Sequence, residues 1–231
     1  MALVQSDVDG VLTEARRFFK LGPKSANKIY VGSNPGSAKQ TVRNENAKHV
    51  MSAMGAWRRS WMFAQAAGQT PIEIGADWVA DGATLGNCWE MSLVTAHFCN
   101  RRLGTRAREM GICMTNQPGD HGFVMVRDGM TRQSITDFLE QYSTIDRFAR
   151  YQLSGYWIID CWSGVACRSF DYKTQIRQKF TAWHEQGKHI VSGATPTPSG
   201  DITMRAQSPI GRYWLNLIHS SLSLVNARGS F

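Results

Sequence analysis

Apolar positions along the chain repeat with two periods, and the period changes at Gly104. Before it, Trp89, Leu93, Ala96 and Phe98 fall at helical spacing and predict a helix over Asn87–Leu103. Arg101 and Arg102 close that helix, where cations suit its dipole, and Gly104 is a natural stop. After it come three short runs rich in β-branched and aromatic residues, bounded by Gly, Pro or Asp: Glu109–Met114, Gly122–Val126 and Tyr156–Cys161. These predict strands. Between the second and third, Ser134–Tyr151 reads as a helical insertion. Lys173–Gln186 reads as a further helix, and Tyr213–Val225 as an amphipathic helical piece. Upstream, a short helix over Val11–Lys20 has Asp7 or Asp9 placed to cap it. Gly22–Ser37 reads as loop. Residues 41–67 read as helix, carrying Val50, Met54, Trp57, Trp61 and Phe63, and 70–86 as an irregular approach. Residues 193–210, rich in Pro, Ser, Thr and Gly, predict a long loop.

Helices, then a helix opening at Cys88, then strands: the order predicts an α+β fold in which a helix packs on an antiparallel sheet. Three regions follow, within one compact domain overall. Residues 1–70 form a helical N-terminal region, 71–192 the core, and 193–231 a C-terminal loop and amphipathic segment. A chain of 231 residues with 42% hydrophobic residues can bury a sizeable core without staples.

The formal net charge of +8 is compatible with nucleic acid, an acidic protein or an anionic surface as partner. The densest basic run is only Arg101, Arg102, Arg106 and Arg108, and no nucleic-acid module signature accompanies it, so a solvated basic face is the expectation. The five cysteines, Cys88, Cys99, Cys113, Cys161 and Cys167, are odd in number and form no C-x-x-C pair. They predict reduced thiols rather than a disulfide framework or a zinc ribbon. His184 and His189 lack the H-E-x-x-H spacing, and His97 is expected on the side of its helix away from Cys88, so no metal site is expected. No apolar run has the length of a membrane span, and the first residues carry no pattern of a cleavable secretory signal.

Three short motifs carry chemistry. Gly86-Asn87-Cys88-Trp89-Glu90 places a thiol at a predicted helix start, where free N–H groups and the dipole favour a thiolate and could hold an oxyanion. Gly119-Asp120-His121-Gly122 puts an imidazole at the mouth of an apolar strand, with Gly122 expected to leave room for a substrate backbone. Tyr156-Trp157-Ile158-Ile159-Asp160 ends an apolar strand in a carboxylate that needs a hydrogen-bonding partner. The Nδ1–H of His121 is the expected partner. Asn87, Trp89, Gly122 and Trp162 are the candidate residues around the reacting atoms, and Trp89, Phe123 and Trp162 could wall an acyl slot.

This Cys, His, Asp order resembles the papain-like and transglutaminase-like superfamily, bacterial effector and toxin enzymes included, over roughly residues 80–170. The resemblance implies a nucleophile helix packed on an antiparallel sheet, with Cys88, His121 and Asp160 as catalytic residues and no cofactor. It implies hydrolysis of protein amides through a thioester, as a glutamine or asparagine deamidase or a site-specific protease, with acyl transfer to an amine as the alternative outcome. It further implies a protein substrate in a target cell, delivery by a specialised bacterial secretion system, and a secretion chaperone or immunity protein as partner; otherwise the chain would be cytoplasmic. Cys161 stands where related enzymes often carry proline, and no glutamine lies in Gly82–Gly86. The oxyanion donors would then be backbone groups, Gln69 or Gln117.

Two other readings compete. Asp7-Val8-Asp9-Gly10-Val11-Leu12-Thr13 resembles the first motif of haloacid-dehalogenase-like phosphatases, in which paired carboxylates at a strand end serve a magnesium-dependent phosphoryl transfer. A non-catalytic basic binding module is the other, and it would show strongly salt-dependent binding.

Overall fold

The chain folds locally where side chains satisfy helix ends and where apolar runs find partners. The computed structural model describes residues 2–20, 28–30, 67–84, 86–150, 155–185, 188–196, 202–207 and 212–227. In chain order the elements are α1 (Gln5–Lys20), β1 (Lys28–Tyr30), α2 (Pro71–Ala80), α3 (Cys88–Leu103), β2 (Glu109–Thr115), β3 (Gly122–Arg127), α4 (Ile135–Gln141), α5 (Ile145–Phe148), β4 (Tyr156–Asp160), β5 (Val165–Arg168), α6 (Ser169–Glu185), β6 (Lys188–Pro196), β7 (Ile202–Gln207), α7 (Arg212–His219) and β8 (Leu222–Asn226). Helices and antiparallel sheet make this an α+β fold.

Several expectations are corrected. Helix α1 begins at Gln5 rather than Val11, because the Asp7 carboxylate folds back to accept the Val4 N–H at 3.0 Å and closes the first turn from inside the helix. Residues 70–86, expected to be irregular, contain α2. Thr70 and Glu73 cap it reciprocally (Thr70 N–H to Glu73 Oε2 2.7 Å, Glu73 N–H to Thr70 Oγ1 3.3 Å), and Pro71 opens it. Lys28–Tyr30, placed in a loop, pairs with β6, and the supposed loop 193–210 contributes residues to β6 and β7, which pair with each other. The piece Tyr213–Val225 is divided: α7 ends at His219, and Leu222–Asn226 becomes a strand. The expected helix over 41–67 falls, but for Ala67, outside the described residues.

The main sheet has strand order β5-β4-β3-β2-β8, antiparallel throughout. Every residue of β4, and of β3 from Gly122 to Val126, is buried, so both faces of these strands are covered. That explains their continuous apolar runs. Strand β8 pairs with β2, so the C-terminal segment is part of the core sheet. Helix α3 packs on β2 and β3 and against α1 and α2. At the crossing with α2, a Cβ on Gly75 would stand 2.2 Å from the Leu93 carbonyl oxygen, so only glycine permits the approach.

The register decides what meets. Val124 lies opposite Ile159, which brings the end of β4 alongside the start of β3. His121 directly precedes β3 and Asp160 ends β4, so two residues distant in sequence come to one end of the sheet.

Candidate active site

Cys88 is the first residue of α3, as the motif predicts. The chain enters this helix through Gly86, whose Cβ would stand 2.7 Å from Glu90 Cβ, and the buried Glu90 carboxylate accepts the Asn87 N–H at 2.9 Å. Asn87 thus shapes the helix start. The backbone N–H of Gly122, the residue after His121, acts on the Cys88 sulfur and favours its ionised form, which places the thiol near the His121–Gly122 peptide.

His121 is held from several sides. Its N–H donates to Thr115 Oγ1 at 2.8 Å, and its carbonyl accepts the Thr115 N–H at 2.8 Å. The loop before it is clamped to the C-terminal segment: Gly119 N–H donates to Ser220 Oγ at 2.9 Å, Asn116 N–H to the Ser221 carbonyl at 2.8 Å, and the Tyr213 hydroxyl to the Asp120 carbonyl at 3.1 Å. The imidazole is fully buried under Trp162, whose ring centroid lies 4.9 Å away, with Phe123 at 6.1 Å.

Asp160, also fully buried, is the hub. Its Oδ2 receives His121 Nε2 at 2.8 Å, the Tyr172 hydroxyl at 2.8 Å and the Ser163 hydroxyl at 2.5 Å, and its Oδ1 receives the Ser163 N–H at 3.0 Å. Burial alone would push this carboxyl up. The charge and hydrogen bond of His121 and the two bonds from Ser163 outweigh that and hold it at about 2. The carboxylate is therefore ionised and can only accept. The shared proton with His121 then sits on Nε2, and a neutral ring carries its lone pair on Nδ1. This corrects the expected Nδ1–H contact. The Nδ1 atom is buried with no hydrogen-bond partner among the described residues.

The thiol itself departs from expectation. Burial pushes Cys88 well up from its ordinary value, and the charges of Asp120 and Glu90 push the same way; the Gly122 N–H opposes them without prevailing. Desolvation wins over the helix start because the side chain is only 6% exposed and carboxylates surround it. The resting species is a neutral thiol.

The remaining candidates sort by their contacts. Space at Gly122 is filled by the protein itself, since a Cβ there would meet Met114 Sδ at 2.5 Å and Ser92 Oγ at 3.5 Å; it is not left open for substrate. Trp162 and Phe123 are core residues packed against the imidazole, and Trp162 continues into Trp183 at 5.2 Å and Phe180 at 6.2 Å, so neither walls a slot. Trp89 is half-buried against the core. Gln69 donates to Asp77 at 3.1 Å, which ties its amide to α2. Gln117 lies in the exposed turn before His121.

The competing motifs lose their settings. Asp7 and Asp9 lie inside α1 rather than at a strand end; Asp7 pairs with Arg106 at 2.9 Å, and Asp9 accepts from Gln5 at 3.0 Å. The basic run is partly neutralised by α1, because Arg101 and Arg102 also reach Glu14. Among the described residues no His, Cys, Asp and Glu side chains cluster as a metal site, and no helix is long and apolar enough to cross a membrane. All five cysteines are free thiols.

Sequence reasoning overlooked Ser163 and Tyr172. Ser163 was within reach: Asp160-Cys161-Trp162-Ser163-Gly164 is an Asp-initiated turn, closed by Gly164 N–H to the Asp160 carbonyl at 2.8 Å with Gly164 at φ +75°. Tyr172 had no local signal, since only the packing of α6 brings it to Asp160. Comparison of the chain with protein-family models, with curated proteins and with solved structures finds no match.

Proposed function

We propose that the chain is a cysteine-dependent amide hydrolase of papain-like or transglutaminase-like type. In this reading Cys88 is the nucleophile, His121 the base and acid, and Asp160 the group that orients His121. The observation that carries it is the buried Asp160–His121 pair at 2.8 Å, which leaves Nδ1 as an unengaged acceptor, while the backbone N–H of the next residue, Gly122, acts on the Cys88 sulfur. A structural histidine of this kind has both ring nitrogens bonded; a base has one nitrogen fixed and one free.

The neutral thiol sets the order of events. Cys88 adds to the carbonyl carbon of an amide as its proton passes to His121 Nδ1. The tetrahedral adduct collapses when His121 returns that proton to the departing nitrogen; the C–N bond breaks, and ammonia or an amine leaves a thioester on Cys88. Water then adds, giving a proton to Nδ1. The C–S bond breaks, the carboxylic acid departs, and the sulfur takes the proton back. Backbone N–H groups in the first turn of α3, which precede the first intrahelical bond (Met91 N–H to the Asn87 carbonyl), supply oxyanion donors.

Side-chain deamidation or site-specific cleavage of a protein is the favoured outcome, and the resemblance of the three motifs supports it. The same resemblance supports action in a target cell after specialised secretion. Proteins from a cell extract are incubated with wild type and with Cys88→Ala and compared by mass spectrometry. Conversion of a glutamine or asparagine to its acid, or new chain termini, with wild type alone is the expected result. An extract equally unmodified by both would overturn the hydrolase reading, and amine adducts would turn it into acyl transfer.

A further inference from the structure

The hydroxyl of Tyr172 is spent on Asp160, while its ring fills the core as a phenylalanine would. Its ring packs 5.0 Å from Phe123 within a fully buried environment, while its oxygen lies 2.8 Å from Asp160 Oδ2 and 3.4 Å from His121 Nε2. We propose that Tyr172 is a positioning residue: by donating to Asp160 it weakens that carboxylate's hold on the Nε2 proton of His121, with the Nδ1 lone pair unengaged.

A carboxylate that accepts three other hydrogen bonds concentrates less charge on the imidazole than one that accepts none. Ser163 supplies two of these bonds and Tyr172 the third, on the same oxygen that takes Nε2. Remove the phenol and Oδ2 draws harder on the Nε2 proton, so the doubly protonated ring gains ground against the ring that carries a free Nδ1 lone pair.

Other groups facing the phenol do not compete for this role. Cys167 of β5 and Tyr213 of α7 both act on it, as do Asp160 of β4 and the His121 ring before β3. Cys167 and Tyr213 stay neutral, each pushed up by burial, so Asp160 is the charge that Tyr172 answers. Around the thiol the charged groups are Asp120, Glu90 and Asp160, and none of them touches Tyr172 except Asp160.

This inference rests on the proposed roles of Cys88 and His121, but its test does not require a substrate. Histidine-labelled protein is examined by nitrogen NMR, with the His121 signal assigned by its loss in His121→Gln. Carbamidomethylation of Cys88 by iodoacetamide is followed against pH by mass spectrometry. Wild type should show the Nε2–H ring. Tyr172→Phe, which keeps the packing, should retain that tautomer and move the acid limb of the Cys88 alkylation profile up by about one pH unit. If Tyr172→Phe does not fold, Ser163→Ala removes a donor from the same Oδ2 and should move the limb the same way. A wild-type ring protonated on Nδ1, or a limb that stays put or moves down in the folded variant, overturns the proposal. Should the limb move as expected while Cys88→Ala leaves protein modification unchanged, the positioning role stands and the hydrolase reading falls.

Discussion

At the scale of single residues, the site is a buried carboxylate that accepts four hydrogen bonds and a histidine with one ring nitrogen left unbonded among the described residues. Replacing Asp160 by alanine strands the Ser163, Tyr172 and His121 donors in the interior. A loss of about 3 kcal/mol in urea unfolding is expected, because broken buried pairs cost more than the pair itself contributes. The acid dependence follows from sign. Asp160 titrates at about 2 in the folded chain against an ordinary 3.8, so the fold favours its ionised form. Its stabilisation is complete above about pH 4 and drains away as the pH falls toward 2, on the order of 2 kcal/mol in all, which acid titration of the unfolding midpoint would read. In Asp160→Asn that acid-dependent component should vanish. Under the proposed hydrolase reading, His121→Ala should lower turnover of the substrate on the order of 10²–10⁴-fold, measured at saturating substrate.

Elements are held in place by close contacts more than by propensity. Helix α3 must deliver Cys88 to the end of β3, and it does so by lying against α2 at Gly75 and against the sheet. Gly75→Ala would drive a methyl into the Leu93 carbonyl, so a destabilisation of about 2 kcal/mol or more is expected from thermal or urea unfolding. The Gly122→Ala change crowds a flexible Met114 side chain, with Ser92 Oγ at ordinary contact distance, and should cost less, by the same measurement. Thr70→Ala removes a reciprocal cap from α2 and should cost about 1 kcal/mol. The loop bearing His121 is a composite of the turn after β2 and the segment between α7 and β8, joined by Ser220 and Ser221.

For the whole molecule, the consequence lies in the thiols. Cys88, Cys113 and Cys167 are all pushed up from an ordinary 9.0, chiefly by burial. Their folded forms stay protonated where the unfolded chain ionises. Unfolding is therefore favoured as the pH rises past about 9, and under reducing conditions the thiols' contribution to stability should be flat below that point and fall above it. An unfolding midpoint independent of pH between 8 and 10.5 would contradict the burial of these groups. The same arrangement makes iodoacetamide selective. Cys99 and Cys113 are fully enclosed, so Cys88, slightly open, should be labelled before them; earlier labelling of Cys113 or Cys167 would count against the proposed site.

What the amino-acid order determined by itself is local. The helix at Cys88, its stop at Gly104, the three apolar strands and the residues Cys88, His121 and Asp160 are readable because helix ends and strand runs are written in contiguous residues. The α2 cap at Thr70-Pro71-Ile72-Glu73 is equally local. Tertiary structure decided the rest. Polar, Pro- and Gly-containing stretches became β6 and β7 because they pair with each other, and β6 with the distant β1, through backbone groups that do not depend on an apolar pattern, and β8 formed by pairing with β2. Which imidazole nitrogen faces Asp160, whether the thiol is ionised, and what fills the space at Gly122 depend on groups brought together from α3, β3, β4 and α6. No window along the chain contains them, and their free energies come from desolvation and contacts that exist only once the elements have packed.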